Sequence, residues 1–548
     1  MSASDLRRLE RLKATYGDDV ATAKLGVLRR LSRASLRSAD QVQRLHEALC
    51  FLRAYPDDAG VLVQVTRMLE RFDRRADLLR HRDKLADTGI AGTDIRYRFF
   101  WSTALWLARR WPGQLVLGRD DAEATEQLGK ILPLIVPATA AEWLQGAAPS
   151  AFDAIDRLRG RRSDAAWLVE QLSRLPGDGF TREQFADAID LPYLLHASRD
   201  TPSRSRAYFA PAPRAFQSVP LRRTRPDLRA AMTVPPRGLR QLTRREGAAM
   251  IELARGSMIT RARDLAAFEY GDARDLHLAD DGDGLAFAFC GMLPERRALL
   301  PAVYGYLALK NGVPIGYGQV DVLGPFAALS FNTFETFRGG ETAQVFGRLL
   351  SAIRHLFGAE SFSVDPYQLG QGNQEGLDTG AWWFYQKLGF RPHSAQARRI
   401  MRRELARARI NPRHRSSTRT LGKLAESHLF FDFDASAARG LAPVRVACER
   451  AVAWLARRGG GKAAMEQASR SALALTGQKS LASLTRGERL AWQQWAPLIA
   501  SLPGVSRWPL AQRRELAEIV RAKAGRQELP YLLRFAAHPR LSTALFRG

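Results

Sequence analysis

Cysteine is nearly absent: Cys50, Cys290 and Cys448 are the three in 548 residues, and they lie far apart. That spacing excludes a disulfide framework and a cysteine metal site. The nine histidines form no pair at two- or four-residue spacing, so metal chemistry has no support in the sequence. There is no Gly-x-Ser-x-Gly elbow, which removes the serine-hydrolase reading. Long apolar runs are missing too. The nearest, Ile131–Val136, is cut by Pro133, Pro137 and Glu142. Met1-Ser-Ala-Ser-Asp-Leu-Arg-Arg8 carries charge with no apolar stretch behind it, unlike a secretory signal. The expected location is cytoplasmic.

Acidic residues are the other shortage. Fifty-six Asp and Glu face 83 Lys and Arg, a formal net charge of +27, and only 10 of the basic residues are lysine. An arginine skew of this size is typical of GC-rich coding, yet the surplus charge attracts polyanions whatever its origin. Arginine is densest at Arg398, Arg399, Arg402, Arg403, Arg407, Arg409, Arg413, Arg415 and Arg419, with only Glu404 opposing it. A solvated basic helix and a contact with RNA or another polyanion are the two readings.

What is present is enough for several cores, because 46% of the chain is hydrophobic. Residues 1–200 read as an all-helical domain, with 3.6-residue periodicity in Val42–Ala54, Ala59–Phe72 and Ala165–Leu175. Residues 201–239, with Pro202, Pro220, Pro226, Pro235 and Pro236, read as a Pro/Arg-rich linker. Residues 396–548 read as the basic helix followed by a helical domain, where Thr485-Arg-Gly-Glu488 is a capping box. Leu191-Pro-Tyr-Leu-Leu195 recurs as Leu529-Pro-Tyr-Leu-Leu533, each downstream of a tryptophan (Trp167, Trp495). Chance likeness and a duplicated helical module are the alternatives. Asp280-Asp-Gly-Asp-Gly284 lacks the ligand register of a calcium loop and reads as a turn. Gly459-Gly-Gly-Lys462 lacks the nucleotide-loop spacing and reads as a flexible break.

The middle, residues 240–395, is different in kind. Thr243-Arg-Arg-Glu246 caps a helix running to about Arg255, and Leu285–Met292 reads as a strand. Tyr304–Lys310 and Val313–Leu323 form a hairpin around Asn311-Gly312. Ala327–Phe334 is strand-like, Glu335-Thr-Phe-Arg-Gly-Gly-Glu-Thr-Ala343 is a glycine-containing turn, and 344–357 is helical up to Gly358. Strand, turn and helix together suit a pyrophosphate, because free amides and the helix dipole point at the anion. After the strand Ser361–Val364, Ala381, Phe384, Tyr385 and Leu388 fall on one helical face, and Gly389 and Pro392 end the helix.

The block Ala381-x-x-Phe-Tyr-x-Lys-Leu-Gly-Phe390, preceded by Arg338-Gly-Gly-Glu-Thr-Ala343, resembles the GNAT superfamily of N-acetyltransferases. The resemblance covers under a third of the chain. It implies an α/β (α+β) fold with a splayed mixed sheet, flanked here by helical segments. It also implies acetyl-CoA or another acyl-CoA as co-substrate, an amine acceptor and no metal. The acyl-pantetheine arm would lie between Phe331–Phe334 and Ser361–Asp365. Tyr385 would protonate the departing thiolate. Arg338, Gly339, Gly340, Thr342 and Ala343 would hold the pyrophosphate, and a backbone N–H near Phe334 would polarise the thioester. Asp378 stands where the family often has asparagine, with Asn373 five residues further back. Glu335 is the candidate base, with Asp365 and Asp321 as rivals. Glu341 departs from the family's glycine, and a carboxylate beside a pyrophosphate is repulsive unless it turns outward. The alternative is a non-catalytic protein of the same fold that binds RNA or another polyanion.

Overall fold

A computed structural model of the chain describes residues 2–210, 214–434 and 440–546, so 211–213 of the expected linker lie outside it. The protein is mixed α/β, 54% helical and 13% strand, with a mixed multi-strand sheet. The chain divides into two compact units. The first is Met1–Leu221, Ala249–Tyr270 and Lys310–Ile315; the second is Arg222–Ala248, Gly271–Leu309 and Gly316–Gly548. Boundaries at 200, 239 and 395 do not coincide with this division. No helix of the described residues is long and apolar enough to cross a membrane.

The first unit is mostly helical, but its first 200 residues are not wholly so. Ile95–Tyr97 (β1), Leu115–Leu117 (β2) and Tyr193–Leu195 (β3) form an antiparallel sheet in the order β1-β3-β2. Each strand places Leu or Ile in the core beside Trp101, Leu128, Ile155 and Trp167. The two Leu-Pro-Tyr-Leu-Leu segments therefore differ: the first ends as β3, while the second opens the helix Leu529–Ala537. Proline permits both outcomes: it suits a short extended segment, and it is harmless in a helix's first turn, where its missing N–H has no intrahelical acceptor. The pair is not a duplicated helical module.

The large sheet comprises Gly238–Gln241 (β4), Gly271–Gly282 (β5), Leu285–Met292 (β6), Ala302–Lys310 (β7), Val313–Leu323 (β8), Phe326–Leu329 (β9), Asn332–Thr333 (β10), Ser361–Val364 (β11), Arg391–Pro392 (β12) and Leu429–Asp432 (β13). Its order is β12-β13-β11-β9-β8-β7-β6-β5-β4, with β10 paired to β8. The hairpin at Asn311-Gly312 is present, with φ of 51° and 78°, the left-handed pair that a two-residue turn demands. The turn at 280–284 is present too, with positive φ at Gly282, Asp283 and Gly284.

Three strands of this sheet, β4, β5 and β13, escape the sequence pattern. β5 carries Asp275 and His277, both buried. The structure satisfies Asp275 with the Tyr304 hydroxyl (3.2 Å) and the Glu528 amide (2.9 Å). β13 is four residues long and follows a helical stretch, yet it pairs with both β11 and β12. The sheet therefore does not end at residue 395.

Helices of the C-terminal segment dock on this sheet through polar contacts to the 297–301 connection. Trp495 donates to the Leu299 carbonyl (3.1 Å), Tyr531 to Leu300 (2.6 Å) and Lys523 to Pro301 (2.9 Å). The helix opened by the Thr485–Glu488 capping box runs Arg486–Ala500 as read from the sequence. The Gly459–Lys462 stretch carries positive φ at its glycines and leads directly into the helix Gly461–Thr476.

Candidate functional site

The site is built where two parallel strands stop pairing. β9 and β11 are in register at Phe326–Ser361, Ala327–Phe362 and Ala328–Ser363. Beyond that point Asn332 and Thr333 pair with β8, and Val364 pairs with β13. Strand alternation puts Tyr317, Gln319 and Asp321 of β8 on one face, and Asp365 and His428 continue the row holding Ser363 and Phe430 on the far strands. The result is a polar strip across β8, β11 and β13.

Three titratable groups there, Asp321, Tyr385 and His428, each sense the Asp365 carboxylate. Burial raises Asp321, which accepts from Gln319 Nε2 at 2.8 Å, and the Asp365 charge raises it further. Burial also raises Tyr385, again with help from Asp365; the backbone amide of Phe331, beside the phenol oxygen, opposes the shift. The Tyr385 hydroxyl is thus neutral near physiological pH. Burial lowers His428, and Asp365 partly offsets that. Asp365 itself caps a short helix by accepting from the Gln368 amide at 3.1 Å. Beneath the strip Tyr306, its hydroxyl raised well above its ordinary range by burial, donates to the Ser330 carbonyl at 2.6 Å. A Cβ on Gly318 would lie 2.4 Å from that hydroxyl and 2.2 Å from the same carbonyl, so this strand position must be glycine.

Tyr385 sits on the helix Ala381–Lys387, shorter than the sequence period suggests, because Gly380 (φ 66°) ends the preceding helix Gln374–Thr379. Its ring meets Phe346, Phe384 and Phe390 edge-on at 5.3–5.7 Å. Gly389, at φ 108°, releases the chain into β12.

The expected phosphate loop is a 3-10 turn, Glu335–Phe337, leading to the helix Thr342–Phe357. Phe334 is buried before it, with its ring stacked on Tyr317 at 5.3 Å. The Gly340 amide donates to the Phe337 carbonyl at 2.9 Å and is spent within the loop. The amides of Thr342 and Ala343 open the helix and have no acceptor inside it. A Cβ on Gly339 would meet no atom within 4 Å, so the space outside the loop is open. Glu341 turns outward: its carboxylate accepts from the Arg222 amide at 3.0 Å. Arg338 is exposed and bridges to Glu375 at 2.6 Å.

Three sequence candidates stand apart from the polar strip. Glu335 is exposed on the 3-10 turn. Asp378 is exposed and accepts from Gln374 of its own helix at 2.7 Å. Asn373 caps that helix by accepting from Gly376. His428 went unrecognised because it flanks β13, itself missed. The apolar triplet Leu429-Phe-Phe431 was the signal that could have revealed both.

No family model, no curated protein and no solved structure matches this chain. The site alone must carry the functional reading.

Proposed function

We propose that the chain is an acyl-CoA-dependent N-acyltransferase of GNAT-like, splayed-sheet architecture, acting on an amine. The observation that carries this reading is the position of Tyr385. A buried, neutral phenol stands beside the Phe331 amide where β9 and β11 part, with the amide-lined start of Thr342–Phe357 next along the chain. A thioester carbonyl lying in that opening meets backbone donors, and the leaving thiolate meets the Tyr385 hydroxyl. The C–S bond breaks as the amine nitrogen bonds to the carbonyl carbon, and the phenol proton goes to sulfur. The proton lost by the amine needs an acceptor. We assign it to Asp321, buried on β8 within the polar strip, in preference to Glu335, which is exposed and stands apart from the strip.

A second reading rests on the loop. Arg338 is engaged by Glu375, and Glu341 occupies a glycine position, which suits a non-catalytic binder that has lost the pyrophosphate site.

Release of free thiol from acetyl-CoA separates the two. On the acyltransferase reading, the unmodified protein is expected to hydrolyse the thioester slowly without an acceptor. Tyr385→Phe, which keeps the ring packing, lowers the rate by roughly 10²-fold, toward the lower end of general-acid effects. An equal rate in the variant returns Tyr385 to the core.

A further inference from the structure

The helix Ala395–Ile410 buries Ala397, Met401 and Glu404. At 100° per residue these three define one side of the helix, and Arg398, Arg399, Arg402, Arg403, Arg407 and Arg409 fill roughly the opposite half of its circumference. All six arginines are exposed, as are Arg413, Arg415 and Arg419 in the turn and helix that follow. Arg407 alone has an acid partner, Glu404 at 2.9 Å; the other eight are in no ion pair among the described residues.

Two further features mark this face. Residues 406–413 are exposed without interruption, so the last turn of the helix stands clear of the body on every side. The one acid on the helix points inward, where its carboxylate accepts from His414 Nε2 (2.9 Å) and the Ser416 hydroxyl (2.7 Å). Ser416 in turn accepts from Trp383 Nε1 at 3.2 Å. Glu404 thus holds the Arg413–Arg415 turn in place and pairs with Arg407 alone of the outer face. The like-charged pairs Arg398–Arg402, Arg399–Arg403 and Arg403–Arg407 at i,i+4 each weaken the helix by a few tenths of a kcal/mol, so helix stability does not explain them.

We propose that this face docks in the major groove of double-stranded DNA. Its binding does not rest on the acyl-transfer reading. Several observations favour this occupant. Arginines on both flanks of a projecting helix match phosphates on both walls of a groove that admits a helix, about 12 Å wide in B-form DNA. The A-form RNA groove is too narrow and deep for such entry. The helix carries no aromatic side chain to stack unpaired bases. Its only exposed large aliphatic residue is Ile410, too little apolar surface for a lipid interface.

The test is fluorescence anisotropy with a labelled DNA duplex of about 20 base pairs, between about 50 and 200 mM salt. Six phosphate contacts predict a log–log salt slope near −5, from about 0.9 per contact. Replacing Arg402, Arg403, Arg409 and Arg413 by Gln is expected to weaken binding at least roughly 30-fold and flatten the slope by about 3 to 4. Arg407 is left intact because it holds Glu404. A matched variant with Arg7, Arg8, Arg11 and Arg29 replaced by Gln removes the same charge elsewhere and is expected to stay within about twofold. Equal weakening by the two variants would assign binding to net charge alone and overturn the proposal. So would tighter binding to duplex RNA, single strands or phosphatidylserine vesicles than to duplex DNA.

Discussion

A carboxyl group withdrawn from water holds its proton more tightly, and two places in this chain use that fact differently. Burial raises Asp321, the residue proposed above as the proton acceptor. The pH–rate profile should therefore show an acidic limb above the ordinary carboxylate range. Asp321→Asn should lower turnover by about 10²–10⁴-fold; His428→Gln should leave the limb in place. Loss of the limb in the His428 variant would transfer the role to that residue. In the first unit, burial raises Asp264 to about 6 and Glu269 to about 8, and Ser102 donates to Glu269 at 2.5 Å. Both values lie above those of the unfolded chain, so the folded state keeps protons that unfolding would release. The stabilisation from this pair is complete below about pH 4 and is lost as pH rises through about 6 to 8. Melting temperature should fall across that range, and Glu269→Gln, which cannot ionise and still accepts from Ser102, should flatten the fall. An unaltered slope in the variant would remove the pair as the cause. Tyr385 was legible in the sequence because its neighbours form a motif. Asp321 and Asp365 were singled out with it, but His428 was not, because it stands just before β13, a short strand that follows a helical stretch.

Elements with local rules were read well. The hairpin at Asn311-Gly312, the capping boxes at Thr243 and Thr485, and the strands Leu285–Met292 and Ser361–Val364 all depend on a few adjacent residues. Elements whose sense lies elsewhere were not. β5 is a strand despite Asp275 because Tyr304 and Glu528 receive that carboxylate, and β13 is a strand because β11 and β12 leave a place for it. The loop before Thr342–Phe357 is an intermediate case: Glu341 looked incompatible with an anion until the Arg222 amide claimed its carboxylate. Glu341→Gln, which keeps that acceptor, should change acyl-CoA affinity by less than roughly threefold, because a screened outward charge contributes little. A gain beyond about tenfold would show that the carboxylate opposes the ligand directly, and would favour the non-catalytic reading.

At the scale of the whole molecule, the C-terminal helices are part of what keeps the large sheet in order. Glu528 and Lys523 are both buried and meet at 2.6 Å; the Lys523 ammonium also donates to the Pro301 carbonyl, and the Lys523 carbonyl accepts from Arg297. Glu528→Ala would strand the Lys523 ammonium and should destabilise the protein by about 3–5 kcal/mol, seen as an earlier denaturation midpoint. A loss below about 1 kcal/mol would mean that water reaches the pair and that docking rests on Trp495 and Tyr531. The central claim, that the opening between β9 and β11 receives an acyl-CoA, is tested most directly by calorimetric titration of acetyl-CoA and a longer acyl-CoA into the intact chain and into Gly339→Val. The space outside Gly339 is empty, so valine there should leave the melting temperature of the free protein nearly unchanged while occupying the path of the pyrophosphate. The account predicts saturable binding by the unmodified chain, weakened at least about tenfold, or 1.4 kcal/mol, by the valine. No binding heat at about millimolar ligand, or equal affinity in the two proteins, would contradict it.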